Sequence, residues 1–165
     1  MTSHEILGYM SANLSAQIIE DLFVDDKPLY KAILGAVAQA KKVRPVFMEK
    51  LPKAQRHPEM VAMLSRGSMD EVAGNLLRGW LLKKQLPVIA EFLDGLGIKH
   101  EKGVVEELPA SVDDGKLKQT IEAMLAKHPQ EVVAVYLLSF HAMNEVDWPV
   151  LAQMLKDDSR LQLHG

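Results

Sequence analysis

Apolar residues recur at 69, 72, 73, 76, 77, 80 and 81, the three-and-four spacing that lines one face of a helix. The pattern predicts a helix over 69–84. Ser68 stands before it as a candidate cap and Glu71 three residues on completes a capping box. Lys83 and Lys84 close it, where cations suit the negative end of the helix dipole. Pro87 then sits where the missing N–H is harmless, in the first turn of a second helix carrying Val88, Ile89, Phe92 and Leu93 and ending at Gly95.

The same grammar occurs three times. Residues 22–51 lie over 64–93 at a constant shift of 42, which sets Leu34 on Leu76, Lys41 and Lys42 on Lys83 and Lys84, and Pro45 and Val46 on Pro87 and Val88. A third copy, 123–155, matches with small insertions and brings Pro149 and Val150 to the same place. In the first copy Asp25 or Asp26 caps a helix with Pro28 in its first turn; in the third, His128 and Pro129 open a helix carrying Val132, Val133, Tyr136, Leu137 and Phe140. Linking helices are expected from His57–Pro58 to Ser65 and over 114–127, and one or two more over 3–24. Only 96–115, with Gly97, Gly103, Gly115, Pro109 and a concentration of acids, breaks the helical period.

These units predict an all-α chain, one domain over 1–165, in which antiparallel helical hairpins stack as a short right-handed solenoid. The architecture resembles tetratricopeptide and HEAT solenoids, and the spacing of 42 falls on the HEAT side. The tetratricopeptide signature residues are absent, so the resemblance covers architecture alone.

Composition narrows the chemistry. Aromatics are 5% of the chain while apolar residues are 48%, which favours helix over sheet. There is no Cys, so disulfides, thiolate nucleophiles and zinc–thiolate sites are excluded. No run approaches the ~18 apolar residues of a membrane span, and the N-terminus lacks the basic start and apolar stretch of a signal peptide; a cytoplasmic protein without a membrane partner is expected. No G-x-S-x-G, P-loop or G-x-G-x-x-G occurs, and no His spacing of the metal type. Gly95-Leu96-Gly97 reads as a helix terminator. His57 and His128, each before a Pro, read as helix caps, and Trp148 as a staple at a helix entry.

The strongest charge feature is KKVRPVFMEKLPKAQR (41–56), with six basic residues against one acid. Lys41, Lys42, Arg44, Lys50, Lys53 and Arg56, joined by Lys83 and Lys84 of the next copy, form a candidate partner-binding stripe. A second candidate centres on the irregular segment: His100 and Glu101, facing His141 and Glu145, with Val104 and Val105 anchoring the loop against the hairpins. His141, Asn144 and Glu145 would share one helix surface. Helical repeats leave a concave face that binds peptides or proteins, so the expected function is a non-catalytic protein-interaction module without cofactor. A nucleic-acid-associated repeat using the stripe, or a small enzyme or metal-binding protein centred on 96–115, are the alternatives.

Overall fold

The structure, a computed structural model, describes residues 1–164. It is all-helical: α1 Ser3–Tyr9, α2 Ala12–Asp25, α3 Lys27–Ala40, α4 Pro45–Lys50, α5 Lys53–Leu64, α6 Asp70–Lys84, α7 Leu86–Gly95, α8 Asp114–Lys127, α9 Gln130–Met143 and α10 Pro149–Asp157. Among the described residues the only extended pairing is a single bridge, Glu101 with Val104, and no helix is long and apolar enough to cross a membrane. Contacts gather the chain into two compact units, Met1–Trp80 and Leu81–Leu163. The second of the three sequence copies, 64–93, is therefore divided at Trp80.

In the first unit α2 and α3 begin where short polar side chains cap them. Ser11 Oγ accepts from the Leu14 N–H, and the Asp26 carboxylate accepts from the Leu29 N–H. Asp26 is the one residue between α2 and α3 and ends one helix while starting the next. α2 packs on α3 and α5, and α1 on α5. Ile18, Ile19, Leu22, Leu34, Met60 and Leu64 form the centre of this core, each almost fully buried. Trp80 is 1% exposed on the apolar face predicted for it, and its indole N–H donates to Asp21 Oδ2 at 2.9 Å.

Two helix starts differ from the sequence reading. α6 begins at Asp70 after a 3₁₀ turn, Gly67–Met69, so Ser68 lies inside that turn rather than capping. Asp70 is held instead by the backbone N–H and Nδ1 of His4, at 3.0 and 2.7 Å, a partner 66 residues away. α5 begins at Lys53, after Pro52, and not at His57. Pro58 therefore lies inside the helix, where it leaves the Ala54 carbonyl without its intrahelical donor.

In the second unit α7 packs on α8 and α9, and α8 on α9. Val88, Ile89, Phe92 and Leu93 of α7 are buried as the periodicity requires. α9 goes further than predicted: every residue from Val132 to Phe140 is buried, around the whole circumference of the helix. The rings of Phe92 and Phe140 meet edge to face at 5.2 Å, and Phe140 lies 5.4 Å from Trp148. Trp148 is 3% exposed at the entry of α10, and its indole N–H donates to the Pro109 carbonyl at 3.1 Å. That bond ties down the irregular segment at its far end.

The thrice-repeated Pro stands in a first turn each time, in α4, α7 and α10. Each of these short helices follows a helix of 14 or 15 residues, α3, α6 and α9.

Candidate interaction surface on α4

The basic stretch 41–56 wraps the turn from α3 through α4 into α5. α3 ends in a Schellman motif: Val43 N–H donates to Ala38 O at 2.9 Å and Lys42 N–H to Gln39 O at 3.0 Å. Lys42 holds the left-handed position of that motif with φ 58. Arg44 precedes Pro45, which fixes the first turn of α4, and the helix lasts only six residues before Pro52.

So short a helix buries one side chain, Met48. Val46 and Phe47 are 51% and 54% exposed. This is the surface that sequence reasoning missed, because the stretch stands out along the chain by its charge. The signal was present in the spacing of Pro45 and Pro52, which leaves too little helix for a second buried turn. The contrast with the next copy is direct: the shift of 42 sets Val46 on Val88 and Phe47 on Ile89, which are 1% and 3% exposed.

The six basic residues separate into two sets. Lys41 Nζ pairs with Glu59 at 3.1 Å. Lys53 Nζ lies 3.3 Å from Glu20 Oε1 and 4.0 Å from the centre of the Phe23 ring. Arg56 is buried, and its Nη1 donates to the carbonyls of Glu49 and Leu51 at 2.9 and 3.2 Å, which satisfies the open C-terminal end of α4. Those three hold the fold. Lys42, Arg44 and Lys50 are exposed and stand within 4 Å of no carboxylate among the described residues. They flank Val46 and Phe47. Of the two cations at the end of α6, Lys83 is exposed, and Lys84 is exposed but has a partner.

Behind this surface α2, α3 and α5 share a buried polar cluster. Tyr30 OH and His57 Nε2 are 2.9 Å apart, and His57 Nδ1 lies 3.8 Å from Glu20 Oε2. His57 is thus a core histidine rather than a cap. Burial pushes the Tyr30 hydroxyl above its ordinary value, opposed by Arg56. Burial, with Arg56 beside it, holds the His57 imidazolium below its ordinary range, and Glu20 only partly offsets them. Carboxylate, imidazole and hydroxyl stand in the order of a proton relay. Tyr30 and His57 are only 6% and 7% exposed, whereas the Glu20 side chain is 41% exposed.

The second candidate site takes a different form from the one expected. His100 does lie at the end of α7. Its Nδ1 accepts from the Gly103 N–H at 3.0 Å, so the proton is on Nε2, which donates to Asp94 Oδ1 at 2.8 Å. Both nitrogens are occupied in pinning a tight turn, Glu101–Val104, whose central residues have φ 50 and 85. Val104 is 47% exposed and does not dock; the buried residues here are Ile98 and, beneath Gly103, Ile89. Glu101 is exposed. α9 stops at Met143 because Asn144 caps it, with Nδ2 on the Phe140 carbonyl at 2.8 Å. Glu145 therefore lies beyond the helix that carries His141, and the two do not share its surface. Among the described residues no three His, Asp or Glu gather as a metal-holding group. An open cleft of about 510 Å³ lies between the end of α7 and the start of α8, with Ile98, Leu108 and Val112 against Lys99 and Lys116.

His128 stands at the end of α8 rather than capping the start of α9, whose first turn follows Pro129. Its backbone N–H closes α8 on Met124 O, and its Nε2 lies 2.7 Å from Glu91 Oε2. No protein-family model, curated protein or solved structure matches the chain.

Proposed function

We propose that the chain is a non-catalytic helical-repeat module that binds another protein, a short right-handed stack of antiparallel hairpins with α4 as its docking face. The observation that carries this reading is the exposure of Val46 and Phe47, at positions whose counterparts Val88 and Ile89 are buried. Apolar groups at matched positions are covered in one copy and bare in the other. A large apolar pair flanked by cations with no carboxylate partner among the described residues is the composition of a protein-binding patch, with an anchor at its centre and a polar rim. The three long–short helix pairs with Pro at each entry support the repeat reading.

The test is selection of binders from a random peptide display library on the whole protein, followed by affinity measurements on a Val46→Ser/Phe47→Ser variant. Binders are expected to lose most of their affinity while the circular dichroism spectrum and Tm stay unchanged. Selected peptides that bind the variant as well as the original would remove α4 as the docking face.

A further inference from the structure

We infer that the α4 face takes an acidic, extended protein segment. One apolar side chain of the segment is laid on Val46 and Phe47, and its carboxylates reach Lys42, Arg44 and Lys50. This rests on the docking reading above and names the partner's chemistry. Three observations carry it.

The first is charge. Of the six basic residues in 41–56, the three with internal work are turned inward or paired, and the three around the apolar pair are bare. A partner that covers Val46 and Phe47 must face those cations, so carboxylates suit it and further cations do not.

The second is backbone geometry. The Schellman motif that ends α3 recurs at the end of α7, where Ile98 N–H donates to Leu93 O and Gly97 N–H to Asp94 O. There the left-handed position is Gly97, φ 70. At the equivalent position after α3 the chain has Lys42, φ 58. A side chain in that conformation is strained where glycine is not. The strain falls on an exposed cation a few residues before the apolar pair, and such strain is found at functional sites.

The third is a precedent inside the chain. Ile89, the counterpart of Phe47, lies beneath Gly103 of the irregular segment: a Cβ built there would stand 3.1 Å from Ile89 Cγ2 and from Leu82 Cδ2. The covering turn, Glu101–Val104, belongs to a segment that also carries Glu106, Glu107 and Asp113. A non-helical stretch therefore already covers this position in the second copy. In the first copy the cover comes from outside.

The experiment uses two peptide libraries of one pattern around a random apolar centre, one with Asp and Glu at the flanking positions and one with Asn and Gln. Enrichment on the whole protein is expected from the acidic library only. The best acidic peptide, followed by fluorescence anisotropy, should bind Lys42→Glu/Arg44→Glu/Lys50→Glu and Phe47→Ala each about tenfold or more weakly. It should weaken several-fold as salt rises. Lys42→Gly separates function from fold: affinity should fall a few-fold while Tm stays level or rises by about 2–4 °C. A fall in Tm with unchanged affinity would show that Lys42 serves the fold and would overturn the inference. Equal enrichment from both libraries, with binding still lost in Phe47→Ala, would overturn the acidic partner and leave the docking face standing. Enrichment from neither library would overturn the inference. So would tighter binding to oligothymidine or to phosphatidylserine vesicles than to the acidic peptide, since the occupant would then be nucleic acid or lipid.

Discussion

Gly95 and Gly97 stand two residues apart at the end of α7, and their replacement by Ala should destabilise the protein for unrelated reasons. Gly97 has open space around it and φ 70, so Gly97→Ala meets no atom and strains only its own backbone. That strain is about 1–2 kcal/mol, less the ~0.4–1 kcal/mol that removing a glycine takes from unfolded-state entropy, for a net loss of about 1 kcal/mol. Gly95 is helical. A Cβ there would stand 2.6 Å from both Cγ2 and Oγ1 of Thr120 and 3.2 Å from its Cβ. Thr120 is buried on α8 and β-branched, so it has little freedom to turn away. Overpacking of this kind costs about 1–3 kcal/mol, and the better helix propensity of Ala offsets up to ~1 kcal/mol of it. The net loss is about 1–2 kcal/mol. The magnitudes overlap, so the discriminating measurement is a double-mutant cycle with Thr120→Ala, read by urea unfolding in the far ultraviolet. Thr120→Ala removes both atoms at 2.6 Å and should recover about 1 kcal/mol of the Gly95→Ala loss. It should recover none of the Gly97→Ala loss. Gly95→Ala as stable as the original, or equal rescue of both variants, would refute the close approach of α7 to α8.

Three further outcomes are expected. His57 is held neutral by burial and by Arg56, with its folded pKa below the unfolded ~6.5. The unfolded state therefore binds more protons as pH falls past ~6.5, and stability present above that pH is lost below it. Chemical denaturation at steps from pH 7.5 to pH 5 should show this slope, and His57→Gln should flatten it; an unchanged slope would assign it to other groups. Tyr136 has its hydroxyl buried with no hydrogen-bond partner among the described residues, so Tyr136→Phe should leave stability unchanged or raise it, and a loss above about 1 kcal/mol would show that the hydroxyl has a partner. Trp148→Phe removes the bond to the Pro109 carbonyl and part of a buried ring; a loss of about 2 kcal/mol is expected, together with faster proteolysis within 98–112, and unchanged cleavage would show that the indole does not anchor the segment.

The local punctuation of this fold was legible in the residues. Apolar spacing gave the faces of α3, α6 and α7, Asp26 and Asp113 capped where short acids before a helix should, and the repeat Pro marked the entries of α4, α7 and α10. These features depend on contacts within a few residues, which a linear pattern contains. The exceptions each involve a distant partner. Ser68 reads as a cap, yet α6 starts at Asp70, bonded to His4. His57 reads as a cap, yet it is a core residue bonded to Tyr30. Gly95 reads as the end of α7 and is its last residue, yet the side chain that leaves no room for a Cβ there is Thr120 of α8.

The candidate surface divides in the same way. The sequence alone determined that six cations lie between 41 and 56, because composition is local. Which of them are free was decided only by tertiary structure: Glu20, Glu59 and the carbonyls of Glu49 and Leu51 occupy Lys53, Lys41 and Arg56, and leave Lys42, Arg44 and Lys50. The same holds for burial. Val46-Phe47 and Val88-Ile89 hold matched places along the chain, each pair directly after the repeat Pro. Burial is a property of what lies opposite, and only the fold places Gly103 over Ile89 and leaves Phe47 more than half exposed.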